Sequence, residues 1–316
     1  MKNTQRQIDG MKKQTIGVEI EMADITRQKA IKVVANYFGT GNTVRHDGGS
    51  YDAWSCLDNQ NRRWTITRDV SIRADRDEEK AELATPILKH EDIEDLQEIA
   101  RQLRHAGAVS NPNHGCGVHI HIGANGHTAK TLRNLVNIMA SHEPLLKESL
   151  KLDNYRVSNY CKMVDSKFLK EVNKKKPTSM SALADIWYNT QSDSYRSRSS
   201  HYNGSRYHMT NLHATFTKGT IEFRLFQFDN PSLDKKGGIH AGQLKSYIQL
   251  CLALSEMAKE VSKASSRPQQ NENPKYAMRT WLLRLGFIGD EFATAREILT
   301  RNLRGDAAFR SGTRAC

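Results

Sequence analysis

Several short segments of the chain alternate apolar and ionisable residues, the pattern of a strand with one buried face. The first is Gly17–Met22, in which Glu19 and Glu21 alternate with apolar side chains. Because successive side chains of a strand point to opposite faces, the two carboxylates share one face. The two carboxylates repel each other unless a cation or a basic side chain lies close to both. Alone, the segment is typical of a solvated strand face, and it becomes a candidate metal site if other segments repeat the pattern.

A second alternating segment, Gly115–Gly123, carries histidines instead of carboxylates. His119 and His121 share one face of the predicted strand, and branched apolar residues occupy the other face. A single strand histidine is usually an ordinary polar residue, whereas two on one face favour metal ligands or phosphate contacts. A zinc site that adds Cys116 is disfavoured, because Cys116 and His119 lie on opposite faces of a regular strand.

Three further predicted strands also place ionisable side chains opposite an apolar face. They are Arg63–Ile72, where Asp69 alternates with Val70 and Ile72, then Glu82–Pro86, which begins with Glu82, and Gly219–Phe226, which carries Glu222 and Arg224. We expect Gly219–Phe226 to form a hairpin with Arg206–Thr217, with its turn at Lys218-Gly219. If these strands share one sheet, its polar side is an acid-lined surface.

Helical periodicity dominates the segments between and after these strands. The predicted helices are Ala30–Phe38, Asp92–Ala106, Thr128–Met139, a helix that restarts at Pro144 and runs to Leu152, Ala241–Lys263, Lys275–Leu285 and Glu291–Leu303. Strands and helices in this irregular order predict an α+β fold, in which helices pack on the apolar face of a curved, mainly antiparallel sheet.

The predicted elements form a single domain over residues 15–305. Residues 1–14 are polar and predict a flexible N-terminal segment, and residues 306–316 predict a basic tail. Residues 154–205 are rich in Ser, Asn, Tyr and Arg, which predicts an insertion or a substrate loop.

Composition limits the class of protein. The hydrophobic fraction is 38%, and no apolar run approaches the roughly 20 residues that span a bilayer, so we expect no membrane association. The first 14 residues lack the apolar segment of a signal peptide. The five cysteines are scattered and never spaced as CxxC, which argues against a disulfide framework and predicts a cytoplasmic protein.

The net charge indicates anionic partners. Lys and Arg total 47 against 35 Asp and Glu, a formal charge of +12. Such a field attracts polyphosphates, nucleotides and acidic substrates, and also nucleic acid without sequence preference. The segment Tyr195–Tyr207 carries the Arg and Tyr residues that nucleic-acid binding would use.

The ionisable strand faces together favour a metal centre. Several carboxylates with histidine bind hard divalent cations such as Mg²⁺ or Mn²⁺, because most of the ligand atoms are oxygen. Arg224 would be unusual in a pure metal cage. It fits a site that also binds phosphate, because guanidinium and metal ions together stabilise a phosphoryl group in transfer.

The motifs resemble those of the amidoligase family, within the glutamine synthetase and glutamate-cysteine ligase superfamily. The similar motifs, in order, are Gly-x-Glu-x-Glu from Gly17, Asp69-Val70-Ser71-Ile72, Glu82 ahead of Thr85-Pro86, Gly-x-His-x-His from Gly117, Tyr207 with Asn211, and Glu222-Phe223-Arg224. The resemblance spans about residues 15–303. Each motif is short, and their common order and spacing make the resemblance specific.

The resemblance implies a carboxylate-amine ligase that uses ATP and two or three Mg²⁺ or Mn²⁺ ions in a funnel on a glutamine synthetase-like antiparallel sheet. The metal ligands it implies are Glu19, Glu21, Glu82, His119 and Glu222. His121 would approach the nucleotide phosphates, and Arg224 would stabilise the γ-phosphoryl group. Asp69 would bind or deprotonate the amine. Arg68 and Arg206 are candidates for binding the carboxylate substrate, and Arg206 is also a candidate for binding the nucleotide. The implied reaction passes through an acyl phosphate.

Two other functions remain open from the sequence. The first is a basic nucleic-acid-binding protein on the same fold without catalysis, which would not need acids on one side of a sheet. The second is a hydrolase that needs metal but no ATP. The ligase hypothesis implies small-molecule or peptide carboxylates and amines as substrates, and it leaves the acid, the amine and the oligomeric state unspecified.

Overall fold

The computed structural model describes residues 2–191, 197–200, 202–230, 238–268 and 272–308. Its strands are β1 (Ile16–Met22), β2 (Arg45–Gly48), β3 (Ala53–Leu57), β4 (Arg63–Thr67), β5 (Ala81–Ala84), β6 (Val118–Gly123), β7 (Thr210–Asn211) and β8 (Thr220–Phe226). Its helices are α1 (Lys2–Lys12), α2 (Arg27–Phe38), α3 (Ile93–His105), α4 (Ala129–Ser149), α5 (Asn154–Asn159), α6 (Ser166–Lys175), α7 (Met180–Thr190), α8 (His213–Lys218), α9 (Ala241–Glu260), α10 (Pro274–Arg284) and α11 (Ala293–Thr300). The protein is α+β with a large antiparallel sheet, as the sequence predicts.

The chain divides into two compact units, where the sequence predicts one domain. The sheet unit consists of Thr15–His121 and Phe226–Lys245. The helical unit consists of Met1–Gln14, Ile122–Leu225 and Ser246–Cys316. Both units are therefore assembled from segments that are distant in the sequence.

The sheet unit contains strands in the order β2-β3-β4-β5-β1-β6. The first five strands of this order pair antiparallel with their neighbours. β1 and β6 also run antiparallel, because the amide of Glu21 donates to the carbonyl of Gly117 at 3.1 Å, whereas Gly17 lies against His121. Neighbouring strands thus bring together residues from three separate motifs.

Apolar burial against α2 fixes which face of the sheet unit is covered. Helix α2 packs against β3, β4, β5 and α3, and its Ile31 and Val34 are fully buried. Thr26 accepts a hydrogen bond from the amide of Lys29 at the start of α2, and Gly39 ends the helix in the left-handed conformation with φ of 69°. The predicted helix Ala30–Phe38 is confirmed, with an earlier start.

The helical unit is a set of packed helices with the short pair β7 and β8. Helix α4 packs against α6 and α11, α6 packs against α7, and α10 packs against α11. In β7 and β8, Thr210 pairs with Phe223 and Asn211 pairs with Glu222. The predicted closing helices are confirmed with somewhat different ends, as α9, α10 and α11.

The N-terminal segment is a helix, so the expectation of a flexible segment over residues 1–14 is wrong for the described residues. Helix α1 covers Lys2–Lys12, and Met11 is buried. The Gln14 side chain donates to the carbonyl of Leu252 at 3.0 Å, which ties the segment to α9. The sequence hides this helix because few of its residues are apolar.

Pro144 does not start a new helix, because α4 runs through it from Ala129 to Ser149. A proline inside a helix removes one backbone hydrogen bond and strains the preceding turn. Met139 and Leu146, on either side of the proline, are fully buried. Their burial compensates for the lost hydrogen bond, and the prediction of two separate helices is wrong.

The predicted hairpin between Arg206–Thr217 and Gly219–Phe226 is mostly a helix followed by a strand. Within the predicted strand Arg206–Thr217, only Thr210–Asn211 pairs with β8, and His213–Lys218 forms α8. Gly219 ends α8 in the left-handed conformation with φ of 72°. A glycine at this place fits a hairpin turn and a helix end equally well, so the sequence could not separate them.

The strand predicted over Arg63–Ile72 ends earlier, at Thr67. Asp69 lies in a turn, where its carboxylate accepts a hydrogen bond from the amide of Ser71 at 2.7 Å. Val70 is 72% exposed and Ile72 is buried. The alternation expected around Asp69 is therefore wrong, because aspartate can cap its own turn instead of continuing a strand.

Residues 154–205 are folded in their described parts. Helices α5, α6 and α7 occupy most of this region. The indole of Trp187 donates to the hydroxyl of Ser205 at 3.0 Å, and the hydroxyl of Tyr188 lies 2.6 Å from Nδ1 of His213. Residues 192–196 and 201 lie outside the described residues, as do residues 309–316 of the predicted basic tail.

Candidate metal and phosphate site

Two carboxylates face each other across the ladder between β1 and β5. Glu21 is the direct partner of Glu82 in the register of this pair. Glu21 is buried, with 5% of its surface exposed, and Glu82 is half-buried. Like charges directly opposite each other on neighbouring strands destabilise a sheet unless something compensates them. The register therefore creates a place where positive charge is favoured.

His119 of β6 lies between the two glutamates of β1. Its Nδ1 is 3.0 Å from a carboxylate oxygen of Glu19, and its Nε2 is 3.6 Å from a carboxylate oxygen of Glu21. The amide of Gly117 donates to the other oxygen of Glu21 at 2.6 Å. Both edges of one imidazole thus contact carboxylates, and a main-chain donor fixes the orientation of Glu21.

His121 contacts Glu19 but not through the same oxygen as His119. Its Nε2 lies 3.3 Å from Oε1 of Glu19, whereas His119 contacts Oε2. Gly17 lies across from His121, and a Cβ atom at Gly17 would be 3.3 Å from the Cβ of His121. A glycine therefore fits the close approach of β1 to β6 at this point.

The surroundings of Glu19 favour its charged form. Burial acts to raise the pKa of the Glu19 carboxyl, but attraction to His121 and hydrogen bonds with His119 and His121 hold that pKa well below its ordinary value. Glu19 thus carries a negative charge at neutral pH and remains available as an oxygen donor.

The sheet unit contains a triad whose geometry could hold a divalent cation. Glu21, Glu82 and His119 each bring one donor atom, and these three atoms lie within 4.8 Å of one another. Two carboxylate oxygens and one imidazole nitrogen suit Mg²⁺ or Mn²⁺ better than a soft metal. The donor set therefore fits the cation that the sequence predicts, with Glu19 as a neighbouring carboxylate on His119.

The helical unit holds Glu222 and Arg224 next to each other on one face of β8, as alternate residues of a strand must be. Both are buried, and the guanidinium of Arg224 pairs with Oε1 of Glu222. The side-chain amide of Asn211 donates to Oε2 of Glu222 at 2.7 Å. Each oxygen of this carboxylate thus has its own donor, which fixes the orientation of Glu222.

Arg224 also lies over an aromatic ring. Its Cζ atom is 5.8 Å from the ring centroid of Tyr207, and the Cζ atom of Arg206 is 5.6 Å from the same centroid. Arg206 lies 5.7 Å from the ring of Tyr202 as well. Arg206 and Arg224, which the sequence assigns to anions, therefore share one tyrosine.

Asp69 and Arg68 lie in the sheet unit outside its metal-capable triad. Asp69 caps its own turn through Ser71. Arg68 is paired with Asp77, whose Oδ1 lies 3.0 Å from its Nε and 2.8 Å from its Nη2. Neither residue is part of the group formed by Glu21, Glu82 and His119, so their roles remain predictions.

Two contributors to these sites were not assigned roles from the sequence. Asn211 entered only as part of a motif with Tyr207, and its contact with Glu222 follows from the pairing of β7 with β8. The contact of the Gly117 amide could not be predicted from any side chain, because it depends on the course of the backbone just before β6. The antiparallel pairing of β7 with β8 is the pattern that could have indicated the contact of Asn211 with Glu222.

The segment proposed for nucleic-acid binding is partly engaged within the helical unit. Arg198 pairs with Asp185 and lies 5.1 Å from the ring centroid of Tyr188. Tyr195 and Arg196 lie outside the described residues.

In the described part of the chain, every helix is too short or too polar to cross a bilayer.

Comparison with known proteins gives one family. The model of a family described as "Putative amidoligase enzyme" matches residues 12–255. A solved structure of a bifunctional glutathione synthetase from Pasteurella multocida is similar, with a TM-score of 0.42 and 14% identity over 95% of this chain and 48% of that chain. The chain thus spans about half the length of that protein. A search of curated proteins found no match.

Proposed function

Because the chain belongs to the amidoligase family, we propose that it is an ATP-dependent carboxylate-amine ligase. The observation that carries the proposal is the triad of Glu21, Glu82 and His119, whose donor atoms lie within 4.8 Å of one another in the sheet unit. A ligase that transfers a phosphoryl group needs cations over a polyphosphate, and an oxygen-rich triad supplies their ligands. The proposal includes an active-site funnel on the antiparallel sheet, as in glutamine synthetase.

Glu21, Glu82 and His119 would hold a Mg²⁺ or Mn²⁺ ion, and the family resemblance adds Glu19 and Glu222 as ligands for two or three ions. Bound cations would supply charge neutralisation of the ATP phosphates. The residues of the chain set the geometry for that chemistry. Glu19 orients His119 through its contact with Nδ1, and the amide of Gly117 orients Glu21.

The proposed reaction has two steps. In the first, a carboxylate oxygen of the acid attacks the γ-phosphorus of ATP, the bond to the β-phosphate oxygen breaks, and ADP leaves. In the second, the amine nitrogen attacks the acyl carbon of the acyl phosphate, the carbon–oxygen bond breaks, and phosphate leaves with the proton that the amine loses. Both steps depend on holding charged groups close together, which is why positioning and electrostatics provide most of the catalysis.

Arg224 and His121 are the residues that we assign to the phosphates. A guanidinium presents several donors in one plane and is always charged, so Arg224 suits stabilisation of the γ-phosphoryl group in transfer. His121 would donate to the nucleotide phosphates from the same strand face as His119. Asp69 would bind or deprotonate the amine, and Arg206 and Arg68 would bind the nucleotide or the carboxylate of the acid.

The test uses the full-length protein loaded with Mn²⁺ or Mg²⁺. ADP release is measured with a panel of small-molecule and peptide carboxylates and amines, and ATP binding is measured by displacement of a fluorescent analogue. We expect ADP release that requires metal, acid and amine together. Glu82→Gln should abolish it, and the matched control Glu91→Gln, at a site where 72% of the side chain is exposed, should retain it.

Three outcomes would overturn the proposal. The metal-loaded protein could fail to bind ATP, or it could cleave amides in a metal-dependent manner without ATP, which would make it a hydrolase. It could instead bind random DNA tightly with a steep salt dependence while leaving ATP unchanged, which would favour the nucleic-acid-binding function.

A further inference from the structure

We infer that Tyr207 is a positioning residue that holds the guanidinium of Arg224 in place for phosphoryl transfer. The role of Arg224 in turnover rests on the proposed function, whereas the contact between the two side chains does not. Tyr207 precedes β7, and Arg224 lies in β8, so the contact crosses the β7–β8 pair within the helical unit.

Two side chains attract the guanidinium of Arg224. The carboxylate of Glu222 pairs with its guanidinium from the neighbouring alternate position of β8. The ring of Tyr207 lies 5.8 Å from its Cζ atom, within the range of a cation–π contact. The face of a tyrosine ring attracts the guanidinium without occupying the donors at its edge. Tyr207 thus attracts Arg224 without using any of its N–H groups.

Tyr207 is itself held from several directions. The ring of Tyr160 makes an edge contact with it at a centroid distance of 6.1 Å and an angle of 73°. The amide of Lys162 donates to the carbonyl of Tyr207 at 2.9 Å, and the amide of Met209 donates back to the carbonyl of Lys162 at 2.7 Å. This two-bond bridge fixes the backbone on both sides of residue 208. The ring of Tyr207 therefore rests on a rigid support.

The backbone of Arg224 is tied to the same support. Its amide donates to the carbonyl of Met209 at 2.9 Å, and its carbonyl accepts a hydrogen bond from Arg156 at 3.4 Å. Arg156 is buried and belongs to α5. Residues 154–162, which the sequence suggests as an insertion or a substrate loop, thus contribute Arg156, Tyr160 and Lys162 to the support of Arg224.

If the ring of Tyr207 were removed, the guanidinium would lose this cation–π attraction and would keep its pairing with Glu222. The guanidinium would then move toward the carboxylate of Glu222, and it would no longer be placed to stabilise a phosphoryl group. Loss of Tyr207 should therefore lower kcat more than it raises the KM for ATP, because the misplaced charge is needed most in the transition state. A phenylalanine ring retains the aromatic face and should preserve the position.

The experiment compares Tyr207→Phe, Tyr207→Leu and the control Tyr51→Leu, which changes a tyrosine of the sheet unit that is 47% exposed. The guanidinium signals of Arg224 are followed by NMR in full-length protein labelled on arginine, and are assigned with Arg224→Lys. Thermal melting of each variant shows that it is folded. We expect Tyr207→Phe and Tyr51→Leu to leave the Arg224 signals in place, and Tyr207→Leu to shift them.

Turnover gives the second readout. We expect Tyr207→Leu to lower kcat about tenfold or more with a smaller change in KM, and Tyr207→Phe to stay close to wild type. Unchanged Arg224 signals in folded Tyr207→Leu, or equal damage from Phe and Leu, would overturn the inference. If the wild-type protein shows no ATP-dependent turnover, the proposed function fails, and the NMR comparison alone decides the role of Tyr207.

Discussion

Glu21 of β1 and Glu82 of β5 are directly opposed in an antiparallel ladder. The two strands therefore bring two carboxylates next to each other. His119 lies 3.6 Å from Glu21 and 3.0 Å from Glu19, which partly balances this charge. A divalent cation would balance it further.

Metal should therefore stabilise the protein. Adding Mn²⁺ or Mg²⁺ to a chelator-treated sample should raise the melting temperature, by an amount equivalent to about 2–3 kcal/mol at a hundredfold excess over Kd. Glu82→Gln removes one ligand and one repulsive charge. It should melt at or above the wild type without metal, and it should lose most of the metal-dependent rise. Differential scanning calorimetry with Glu91→Gln as the control checks this, and an equal rise in Glu82→Gln would contradict a site at the triad.

The close approach at Gly17 should make this position sensitive to size. An alanine would place its Cβ 3.3 Å from the Cβ of His121, so one of the two strands must move by a few tenths of an ångström. Gly17→Ala should lower the free energy of unfolding by about 1 kcal/mol or less, and Gly17→Val by more. Gly41→Ala is the matched control, since its new Cβ would be 3.7 Å from a flexible Asn36 side chain.

Urea unfolding of the Gly17 and Gly41 variants measures these differences. Equal stability of Gly17→Val and Gly41→Ala would show that β1 and β6 are not closely apposed there.

Glu143 of α4 should make stability fall as pH rises. Burial raises the pKa of its carboxyl to about 8, and the amide of Val164 donates to one of its oxygens at 2.9 Å. The unfolded chain releases the Glu143 proton near pH 4.5, whereas the folded protein keeps it up to a higher pH. The contribution of Glu143 to the free energy of unfolding is therefore fully present below pH 4.5. It is lost as pH rises through the folded pKa of about 8.

Glu143→Gln keeps an acceptor for Val164 and removes the titration. Its free energy of unfolding should lack the fall that Glu143 causes, and should exceed that of the wild type by up to a few kcal/mol at pH 8. Urea midpoints at pH 5, 6, 7 and 8 measure the divergence. A constant difference between the two proteins across this range would exclude Glu143 as the titrating group.

Asn211 should be required for the orientation of Glu222. Removing its amide leaves Oε2 of a buried carboxylate without the donor that lies 2.7 Å away, which costs about 1–3 kcal/mol. Asn211→Asp keeps the size but replaces the donor with a like charge, so it should be less stable than Asn211→Ala at pH 8 and should recover at acidic pH. Thermal melting of both variants across pH tests this, and a pH-independent difference would argue against the contact.

The sequence predicts the strands of the sheet unit best where apolar and ionisable residues alternate without interruption. In β1 and β6 the alternation places Glu19, Glu21, His119 and His121 on their polar faces, and the antiparallel pairing of these strands then brings the side chains together. The register that opposes Glu21 to Glu82 depends on pairing between distant strands, and no local pattern specifies it.

The elements that the sequence predicts wrongly lie where a local interaction outweighs the pattern of apolar and polar residues. Asp69 satisfies its own turn, and Gly219 ends a helix with the same conformation that a hairpin would use. Pro144 lies inside α4 because tertiary burial on both sides outweighs the break that a proline favours. In each case, local chemistry allows two structures and packing selects one.

The hydrogen bond from the amide of Gly117 to Glu21 has a consequence for mutational studies of the site. Its donor belongs to the main chain, so an alanine scan would pass over it without effect. Only a change that removes the N–H itself, such as proline at residue 117 or an ester linkage in place of the amide, would expose its contribution. One anchor of the metal-capable triad is thus encoded by the course of the backbone and is protected from ordinary side-chain variation.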